Sequence, residues 1–406
     1  MTLPHAHTRR LQLAGALTAV TTAAALSAIT LPAHAAPPEG PILGAGAPGA
    51  VGGSYIVTLR PGQSGIKAPS AAGRDLAAKY GAEISHTYST ALNGYAVRAD
   101  STEAKRLAAD PRVASVVQDT TVTLDHNQQN PPSWGLDRID QEDFPLDASY
   151  TWPESAGEGV TAYVIDTGIR TTHEDFGGRA SSGWDFVDND AVAQDGNGHG
   201  THVAATIAGE TYGVAKKTNV VAVRVLDAAG SGTTAQVIAG IDWVTQHAQK
   251  PAVANLSLGG FANTQLDAAV RNSIASGVTY TIAAGNDGMP AILYSPARVK
   301  EAITVGATDR TDAQASFSNW GSRVDLYAPG VSITSAWNTS DTAKDTISGT
   351  SMASPHAAGA AALYLADHSW ATPPEVSKAL KKNASWGRIT GAGPGSPNRL
   401  LQVNNP

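Results

Sequence analysis

The sequence predicts an α/β protein whose main domain has a doubly wound, mostly parallel sheet, preceded by a small ferredoxin-like α+β domain. Two observations carry this prediction. From Trp134 onward, short apolar strands alternate with helical stretches, which is the pattern of repeated βαβ units. Between residues 54 and 117, the strand and helix signals follow the order βαββαβ, which is the order of a ferredoxin-like sandwich.

Composition limits the classes of protein to which the chain can belong. Its 406 residues suffice for two or three domains, and 42% hydrophobic with 16% charged residues indicates a globular chain with a large core. A net charge of −7 argues against nucleic acid as a partner, because nucleic-acid-binding domains usually present a basic surface. The chain has no cysteine, which excludes disulfides and cysteine-based zinc sites.

Residues 1–35 have the pattern of a secretory signal peptide. An arginine pair precedes an apolar stretch at 11–31, and residues 33–35 (Ala-His-Ala) offer small side chains at a cleavage site. The alternative is a membrane anchor, but threonines and serines interrupt the stretch and Pro32 ends it. The arginine pair faintly resembles a twin-arginine signal, although Gln12 favours the general secretion route. No later segment has enough consecutive apolar residues to span a bilayer, so we expect a secreted protein with no membrane partner.

The next segment is predicted to be a flexible linker, over residues 36–53, because it is rich in Pro, Gly and Ala. A small domain follows, over residues 54–126. Asp100 and Glu103 have the spacing of a capping box and predict the start of its second helix. The other elements expected in it are a helix at 71–80 and strands at 54–59, 84–90, 91–99 and 113–117.

The main domain is expected over residues 127–406. It follows a polar, Pro-bounded stretch at 125–132, whose composition suits an exposed and cleavable junction. The alternation of apolar runs and helical stretches predicts strands at 160–165, 220–225, 252–258, 278–283 and 302–305, and helices at 199–208, 234–249, 264–276 and 351–366.

Four polar residues lie at the ends of these strands or the starts of these helices. Asp166 ends the first strand, at the edge where open α/β sheets bind ligands. His199 opens a helix in the string Gly-His-Gly-Thr-His, and Asn286 ends Ala-Ala-Gly-Asn after a strand. Ser351 begins an Ala-rich helix in Gly-Thr-Ser-Met-Ala-Ser-Pro-His. Taken singly, each has a common structural explanation: a capping Asp, a packed His, a turn Asn or an N-cap Ser.

Taken together, the four residues have the groups needed for nucleophilic catalysis. A serine hydroxyl needs a base to remove its proton, and an imidazole does this best when a buried carboxylate fixes its tautomer. An Asn amide can stabilise the developing oxyanion. His199 and His202 are one helical turn apart and raise the alternative of a zinc site, but the glutamate of the usual zinc motif is missing. We therefore expect His202 to be structural.

These strings resemble those of the subtilisin-like serine peptidases, and within them the proteinase K and aqualysin branch. Trp134–Asp140, Asn255–Gly260 and Tyr294–Ala297 are further family strings, and the resemblance extends to Leu401. It implies Asp166, His199 and Ser351 as the catalytic triad, in the order that separates this group from other serine hydrolases, with Asn286 in the oxyanion hole.

The resemblance also implies what the whole chain does. Residues 54–125 resemble the inhibitory propeptide of the family, so the chain would be a precursor that cuts itself near His126–Asn127. The product would be a secreted, monomeric endopeptidase of broad specificity acting on proteins and peptides, with its own propeptide as inhibitor and no cofactor for catalysis. The substrate would add a strand beside Ser257, Leu258 and Gly259, opposite Gly230, Ser231 and Gly232.

The pocket for the residue before the scissile bond would be walled by Ser257–Gly260 and by Ala283, Ala284, Gly285 and Asn286. The residues of both walls are small and uncharged, so the sequence predicts a preference for substrates with an apolar or aromatic residue at this position, selected by burial.

Structural calcium is the other feature that the resemblance implies. The positions aligned with the cysteines of the two aqualysin disulfides are Gly196, Ala228, Ala291 and Arg323 here, so both bridges are absent and bound calcium is the expected stabilising element instead. Near the main domain's start lies a group of oxygen-bearing side chains, the ligand type that Ca²⁺ prefers: Asp137, Asp140, Gln141, Asp147 and Ser149. The resemblance implies a second site at Asp325 with the carbonyls of Lys300 and Ala302. The alternative for both is solvated surface acids.

Two other classes of function remain open to the sequence. One is a non-catalytic binding protein on a peptidase fold, against which the intact set of Asp, His, Asn and Ser argues. The other is a metallohydrolase that uses His199, His202 and acidic residues.

Overall fold

The computed structural model describes residues 37–46, 50–61, 66–120 and 126–403. By its contacts the chain divides into two compact units, with the division between residues 123 and 124. The signal peptide predicted over 1–35 and most of the junction before His126 lie outside the described residues. Within those four ranges, no helix is both long enough and apolar enough to cross a membrane.

The first unit is a ferredoxin-like sandwich, as the sequence predicts. Its described residues form a five-stranded sheet in the order β1-β5-β2-β4-β3, with β1 parallel to β5 and the other pairs antiparallel. The predicted capping box is present: the Asp100 carboxylate accepts a hydrogen bond from the Glu103 backbone N–H, and the Glu103 carboxylate accepts one from the Asp100 backbone N–H. The elements are β1 Ile42–Leu43, β2 Ala50–Leu59, α1 Ala71–Lys79, β3 Glu83–Tyr88, β4 Gly94–Arg98, α2 Ser101–Ala108 and β5 Val113–Thr120.

The linker predicted over 36–53 is wrong for part of that range. Ile42–Leu43 pairs with Val116 and Val117 of β5, and β2 already begins at Ala50. The sequence did not reveal these strands because the residues around them are small, and because a two-residue strand such as β1 shows too little alternation of apolar and polar residues to be recognised. The sheet therefore extends into the segment that composition alone assigns to a linker.

The second unit is built on one long sheet with helices on both faces. Its nine strands, counted over the described residues, run in the order β19-β20-β16-β15-β13-β11-β8-β10-β9, and every pair is parallel except β19–β20. Every residue of β8 is buried, which explains why it reads as a continuous apolar run. The doubly wound, mostly parallel α/β fold is thus confirmed.

The predicted elements of this unit agree with the structure to within about three residues. The strands of the main sheet are β8 Thr161–Asp166, β9 Ala180–Asp185, β10 Asn219–Arg224, β11 Ala252–Leu256, β13 Thr279–Ala283, β15 Ile303–Thr308, β16 Leu326–Pro329, β19 Ser385–Trp386 and β20 Arg399–Leu400. Small paired strands are β6 Asn127–Gln129, β7 Ser149–Thr151, β12 Gly260–Phe261, β14 Tyr294–Ser295, β17 Ile333–Ala336 and β18 Lys344–Ile347. The helices are α3 Trp134–Ile139, α4 His199–Ala208, α5 Thr234–His247, α6 Thr264–Ala275, α7 Thr350–Asp367 and α8 Pro373–Asn383, with 3₁₀ turns at Glu174–Phe176 and Ala291–Leu293.

Two helices fill one face of the sheet and are buried nearly all round. α4 and α7 pack against each other and share a core cluster with strand residues such as Val164 and Val305. On the other face, α5 buries only Val237, Gly240, Ile241 and Val244, which is the spacing of a one-sided amphipathic helix. The two helices that carry His199 and Ser351 are therefore held inside the protein rather than on its surface.

Two helices, α3 and α8, are absent from the sequence prediction, although the start signals of α8 are present. α8 begins after Thr372, which forms a capping box with Glu375, and Pro373 is its first residue. These are the usual signals of a helix N-terminus.

The missing disulfides can be tested at one pair of aligned positions. A Cβ built on Gly196 would lie 3.2 Å from the Cβ of Ala228, close to the separation in natural disulfides. We expect the double variant Gly196→Cys/Ala228→Cys to form a bridge and gain about 3 kcal/mol of stability, because it closes a loop of some thirty residues. Calorimetry of the purified protein should show a higher Tm that falls on reduction. A Tm equal to that of the single variants would contradict the prediction.

Candidate active site

The carboxylate predicted at the end of β8 meets the imidazole predicted at the start of α4. The Asp166 side chain is fully buried, and its Oδ1 lies 2.7 Å from Nδ1 of His199. Beside a carboxylate, this ring nitrogen donates, which leaves Nε2 as the acceptor on the ring. The same Oδ1 accepts from the Thr167 backbone at 2.7 Å, and the His199 side chain is 24% exposed to the cleft.

The charge around His199 sets its basicity. Burial alone would lower the pKa of His199, but the charge and hydrogen bond of Asp166, together with the charge of Asp195, raise it above its ordinary value. A base must be neutral to accept a proton, so the raised pKa moves the loss of basicity on acidification to a higher pH than for a free histidine.

A second buried carboxylate, Asp195, fixes the backbone that presents His199, and it has no recognisable signal in the sequence. Its Oδ1 accepts from the backbones of Asn197 and Gly198 at 2.9 and 2.8 Å, and its Oδ2 accepts from the Thr201 hydroxyl at 2.6 Å. Gly198 has φ 117°, a conformation that side-chain-bearing residues avoid. The loop before α4 is therefore shaped by one carboxylate and one glycine.

Ser351 lies at the start of α7, as predicted, and is the second residue of that helix; it contacts the segment that follows β11. Its hydroxyl donates to the Ser257 carbonyl at 3.0 Å, while the Ser257 hydroxyl donates to the Ser351 carbonyl at 2.8 Å. Asn255 supports this pair: its amide donates to the Ser257 hydroxyl at 2.8 Å and its oxygen accepts from Ser354 at 2.7 Å. In the sequence, Asn255 stands out only as part of the family string Asn255–Gly260, which gives no sign of these bonds.

Asn286 lies at the end of the loop after β13, and its side-chain orientation is fixed by Thr350. The Asn286 Oδ1 accepts from the Thr350 backbone at 2.8 Å and from the Thr350 hydroxyl at 2.9 Å. With its oxygen held in this way, the amide nitrogen is left free to donate, and it would lie 3.7 Å from a Cβ built on Gly349. Thr350 is fully buried.

The segments predicted to bind substrate line two adjoining cavities. One, of about 520 Å³, contains His199 together with Gly230, Ser231 and Gly232. The other, of about 440 Å³, contains Ser351 and Asn286 together with Ala283, Ala284 and Gly285. Ser257, Leu258, Gly259 and Gly260 line both cavities, so this segment forms the wall between them.

The backbone of that wall is open to pairing. β11 ends at Leu256 rather than at the predicted Leu258, and residues 257–259 belong to no strand of the described chain. An extended peptide can therefore add a strand here.

The cavity beside Ser351 also contains residues outside the predicted lining, among them Phe261, Asp287 and Tyr294. The prediction of an uncharged lining is wrong in this respect, because Asp287 places a carboxylate on it. The residue directly follows Asn286, but position alone gives no sign that its side chain shares the cavity.

The second histidine of the predicted pair is buried and hydrogen-bonded, as expected of a structural histidine. His202 is fully buried, and its Nε2 donates to the Ile333 carbonyl at 3.0 Å. Burial lowers the pKa of His202 to about 3, so the ring is neutral at ordinary pH. Over the described residues, no group of three or more His, Asp or Glu side chains is arranged as a metal site.

The first predicted calcium cluster does come together around the loop between α3 and β7. Asp137 accepts from the Ala148 backbone at 3.2 Å, Asp140 from that of Thr151 at 2.6 Å, and Gln141 from that of Asp147 at 3.2 Å. Three buried oxygens in it have no hydrogen-bond partner, namely Asp137 Oδ1, Asp140 Oδ1 and the Ser149 hydroxyl. Burial and the nearby carboxylates raise the pKa of Asp140 to about 7. The three unpartnered oxygens favour a cation here, although the acidic side chains of the described residues do not by themselves converge as a metal site.

The second predicted calcium position already has a cation of its own. Asp325 accepts from the Lys381 amino group at 3.1 Å through Oδ1 and from the Thr304 backbone at 3.0 Å through Oδ2. Both carboxylate oxygens are thus engaged, and an ion bound there with the carbonyls of Lys300 and Ala302 would have to displace Lys381.

Comparison with known protein families identifies both units. Residues 157–401 match the profile described as the Subtilase family, and residues 54–125 match the profile described as Peptidase inhibitor I9. The first match covers the strands and helices that carry the four polar residues of the site.

Individual relatives agree with the family matches. The chain is 51% identical to an "Extracellular serine proteinase" of Thermus sp. (strain Rt41A), over 91% of this chain and 94% of the relative. It is also 51% identical to the "Alkaline serine exoprotease A" of Vibrio alginolyticus, over 79% of this chain and 60% of that longer relative. A crystal structure of a cold adapted subtilisin-like serine proteinase has a TM-score of 0.66 and 55% identity, and it covers 67% of this chain and 98% of its own. The chain therefore belongs to the subtilase family of serine proteinases and carries an I9 inhibitor domain ahead of its proteinase domain.

Proposed function

We propose that this chain is a secreted serine endopeptidase that acts through Asp166, His199 and Ser351, with Asn286 as an oxyanion donor. The observation that carries the proposal is the 2.7 Å contact between buried Asp166 and His199, at a cleft that also contains Ser351. Extracellular relatives support secretion.

In the proposed mechanism, the Ser351 hydroxyl leaves the Ser257 carbonyl, and His199 Nε2 takes its proton as Oγ bonds to the substrate carbonyl carbon. The carbonyl π electrons move onto oxygen. When they return, the bond to the leaving amine breaks and His199 protonates that amine. Water then repeats the sequence on the acyl-enzyme, releasing the acid and restoring the hydroxyl. Asp166 stabilises the imidazolium that forms in each half.

The oxyanion would be held by two kinds of donor. Ser351 sits at the start of an 18-residue helix, whose free N–H groups favour negative charge. The Asn286 amide is the second donor, oriented by Thr350. Because the charge exists only in the transition state, these contacts raise kcat rather than ground-state affinity.

Substrate would bind as an added strand on residues 257–259, which places the residue before the scissile bond in the cavity beside Ser351. The small side chains of that cavity favour apolar and aromatic residues through burial. This preference accounts for a broad rather than a narrow specificity.

Maturation is proposed to occur by self-cleavage near His126–Asn127, with the I9 domain acting as inhibitor until it is removed. Asn127–Gln129 pairs with Ser149–Thr151, so the new amino terminus would lie in a small sheet of the proteinase unit. The rings of His126 and Trp152 stack with their centroids 6.2 Å apart, and the His126 carbonyl accepts a hydrogen bond from the Trp152 backbone N–H.

Calcium is proposed as a structural ion at the first cluster, held by Asp137, Asp140, Gln141, Asp147 and Ser149. The unpartnered oxygens there support it. Bound in place, the ion would neutralise the acids and fasten the loop, with no part in peptide hydrolysis.

Removing the nucleophile tests both catalysis and maturation. The Ser351→Ala precursor, expressed in a protease-deficient host, should accumulate uncut. Incubated with casein, this variant should hydrolyse it at least about 10⁴-fold more slowly than the wild type does. Gel analysis and N-terminal sequencing give the readout. Normal maturation of this variant would mean that another protease cuts the junction.

The role of Thr350 as a positioning residue predicts a split between kcat and KM. Thr350→Val removes the hydroxyl that holds Asn286 and should lower kcat by about tenfold with little change in KM, a milder effect than the 10²–10³ found when the oxyanion Asn of subtilisin itself is removed. Thr350→Ser keeps the hydroxyl and should restore most of kcat. A rise in KM alone for the valine variant would contradict the assignment.

Chelation tests the calcium proposal. Excess chelator should lower the Tm of the inhibitor-blocked enzyme, because an ion that binds only the folded state stabilises it by mass action. Asp140→Asn should abolish this difference between chelated and calcium-loaded enzyme, whereas Asp325→Asn should preserve it. An Asp140→Asn variant as sensitive to chelator as the wild type would place the ion elsewhere.

A further inference from the structure

The cavity beside Ser351 has an electrostatic character that its small residues do not suggest. Asp287 is exposed and lies on its lining, and no described Lys, Arg or His lines the same cavity. Asp287 also has no cationic partner within 4 Å among the described residues, whereas Asp185, Asp267 and Asp312 each pair with an arginine. Its charge is therefore not neutralised by the protein.

An aromatic pair borders the same cavity. Phe261 and Tyr294 face each other across the β12–β14 pair, with ring centroids 5.9 Å apart and planes inclined by 22°. Phe261 is 85% exposed, so its outer face is open. Tyr294 and Asp287 line this cavity together. Desolvation, and then the hydrogen bond and charge of Asp287, raise the pKa of Tyr294.

We propose that Asp287, with the Phe261–Tyr294 pair, makes this cavity accept a long basic side chain, Arg or Lys, as the residue before the scissile bond. The inference rests on the proposed function, which makes this cavity the pocket for that residue. The aliphatic stem of Arg or Lys would lie among the small apolar residues, and its cationic end would meet the carboxylate and the ring faces.

Three physical effects favour a cation at this point. An unpaired carboxylate attracts one directly, and residues 127–406, with 18 Lys and Arg against 27 Asp and Glu, have a net charge of −9 that adds a field of the same sign. Aromatic faces carry partial negative charge and attract guanidinium and ammonium groups. Long basic side chains also bury their stems while their charged ends remain in water, so the deep part of the cavity can stay apolar.

The test uses peptide anilides that differ only in the residue before the scissile bond: Arg, its neutral isostere citrulline, and Phe. The ratio of kcat/KM for Arg to that for citrulline isolates the charge, because the two side chains have nearly the same shape. Asp287→Asn should lower this ratio about three- to fivefold, the size expected of a solvent-exposed ion pair, and Asp287→Lys should lower it further. The Phe peptide, measured with the same variants, reports any effect of the substitution that does not depend on the charge of the substrate.

A matched control is Asp367→Asn, which makes the same charge change at the far end of α7, about 25 Å from Ser351 along the helix. It should leave the ratio unchanged. In the wild-type enzyme, the ratio should also fall with added salt, which tests the idea even if the Asp287 variants fail to fold.

The outcomes separate this inference from the proposed function. No hydrolysis of any of the three peptides would refute the endopeptidase itself. Hydrolysis of Phe with an Arg to citrulline ratio that responds neither to salt nor to the Asp287 variants would overturn the inference alone. An equal response to Asp367→Asn would show that overall charge, rather than Asp287, is responsible.

Discussion

The buried carboxylate of Asp166, in the middle of the parallel sheet, is the constraint on which the rest of the proteinase unit depends. β8 lies between β10 and β11, and its six residues are all buried, so Asp166 reaches its position without access to water. Burial of a charge is costly unless hydrogen bonds compensate it. The Thr167 backbone and His199 both bond to Oδ1, at 2.7 Å each, whereas the buried Oδ2 has no partner among the described residues. His199 can be there only because α4 starts beside the end of β8, and the Asp195 bonds to residues 197–201 fix that start.

A second polar network joins the substrate edge to the helix that bears Ser351. Asn255, fully buried at the end of β11, contacts Ser257, Ser354 and Thr281. Thr350 makes a comparable link between α7 and Asn286, and its hydroxyl also accepts from the Gly285 backbone at 3.1 Å. Through these bonds the segment 257–259, Ser351 and Asn286 keep fixed positions relative to one another. A polar network that satisfies its members within a packed interior favours one arrangement over near alternatives.

The sequence predicts the sheet and its helices well because their signals are local. The apolar run of β8 and the spacing of Val237, Ile241 and Val244 in α5 can be recognised without knowing the fold. Asp195 and Asp287 could not be recognised in this way, since each owes its role to neighbours from other parts of the structure. The four catalytic candidates were predictable as a set because they lie in long family strings, whereas the Asn286–Thr350 contact joins residues 64 positions apart.

Without cysteines, the unit is fastened by ion pairs placed where loops meet. Arg138 is fully buried and donates to both oxygens of Asp312 at 2.8 Å, while its remaining N–H groups reach the carbonyls of Gln141 and Glu142. One guanidinium thus holds the loop of the first acidic cluster against a distant turn, 174 residues away in sequence. Loss of one partner from such a pair typically costs about 3–5 kcal/mol, because the other charge stays buried alone. Through these bonds Arg138 fixes the shape of the loop from inside the protein.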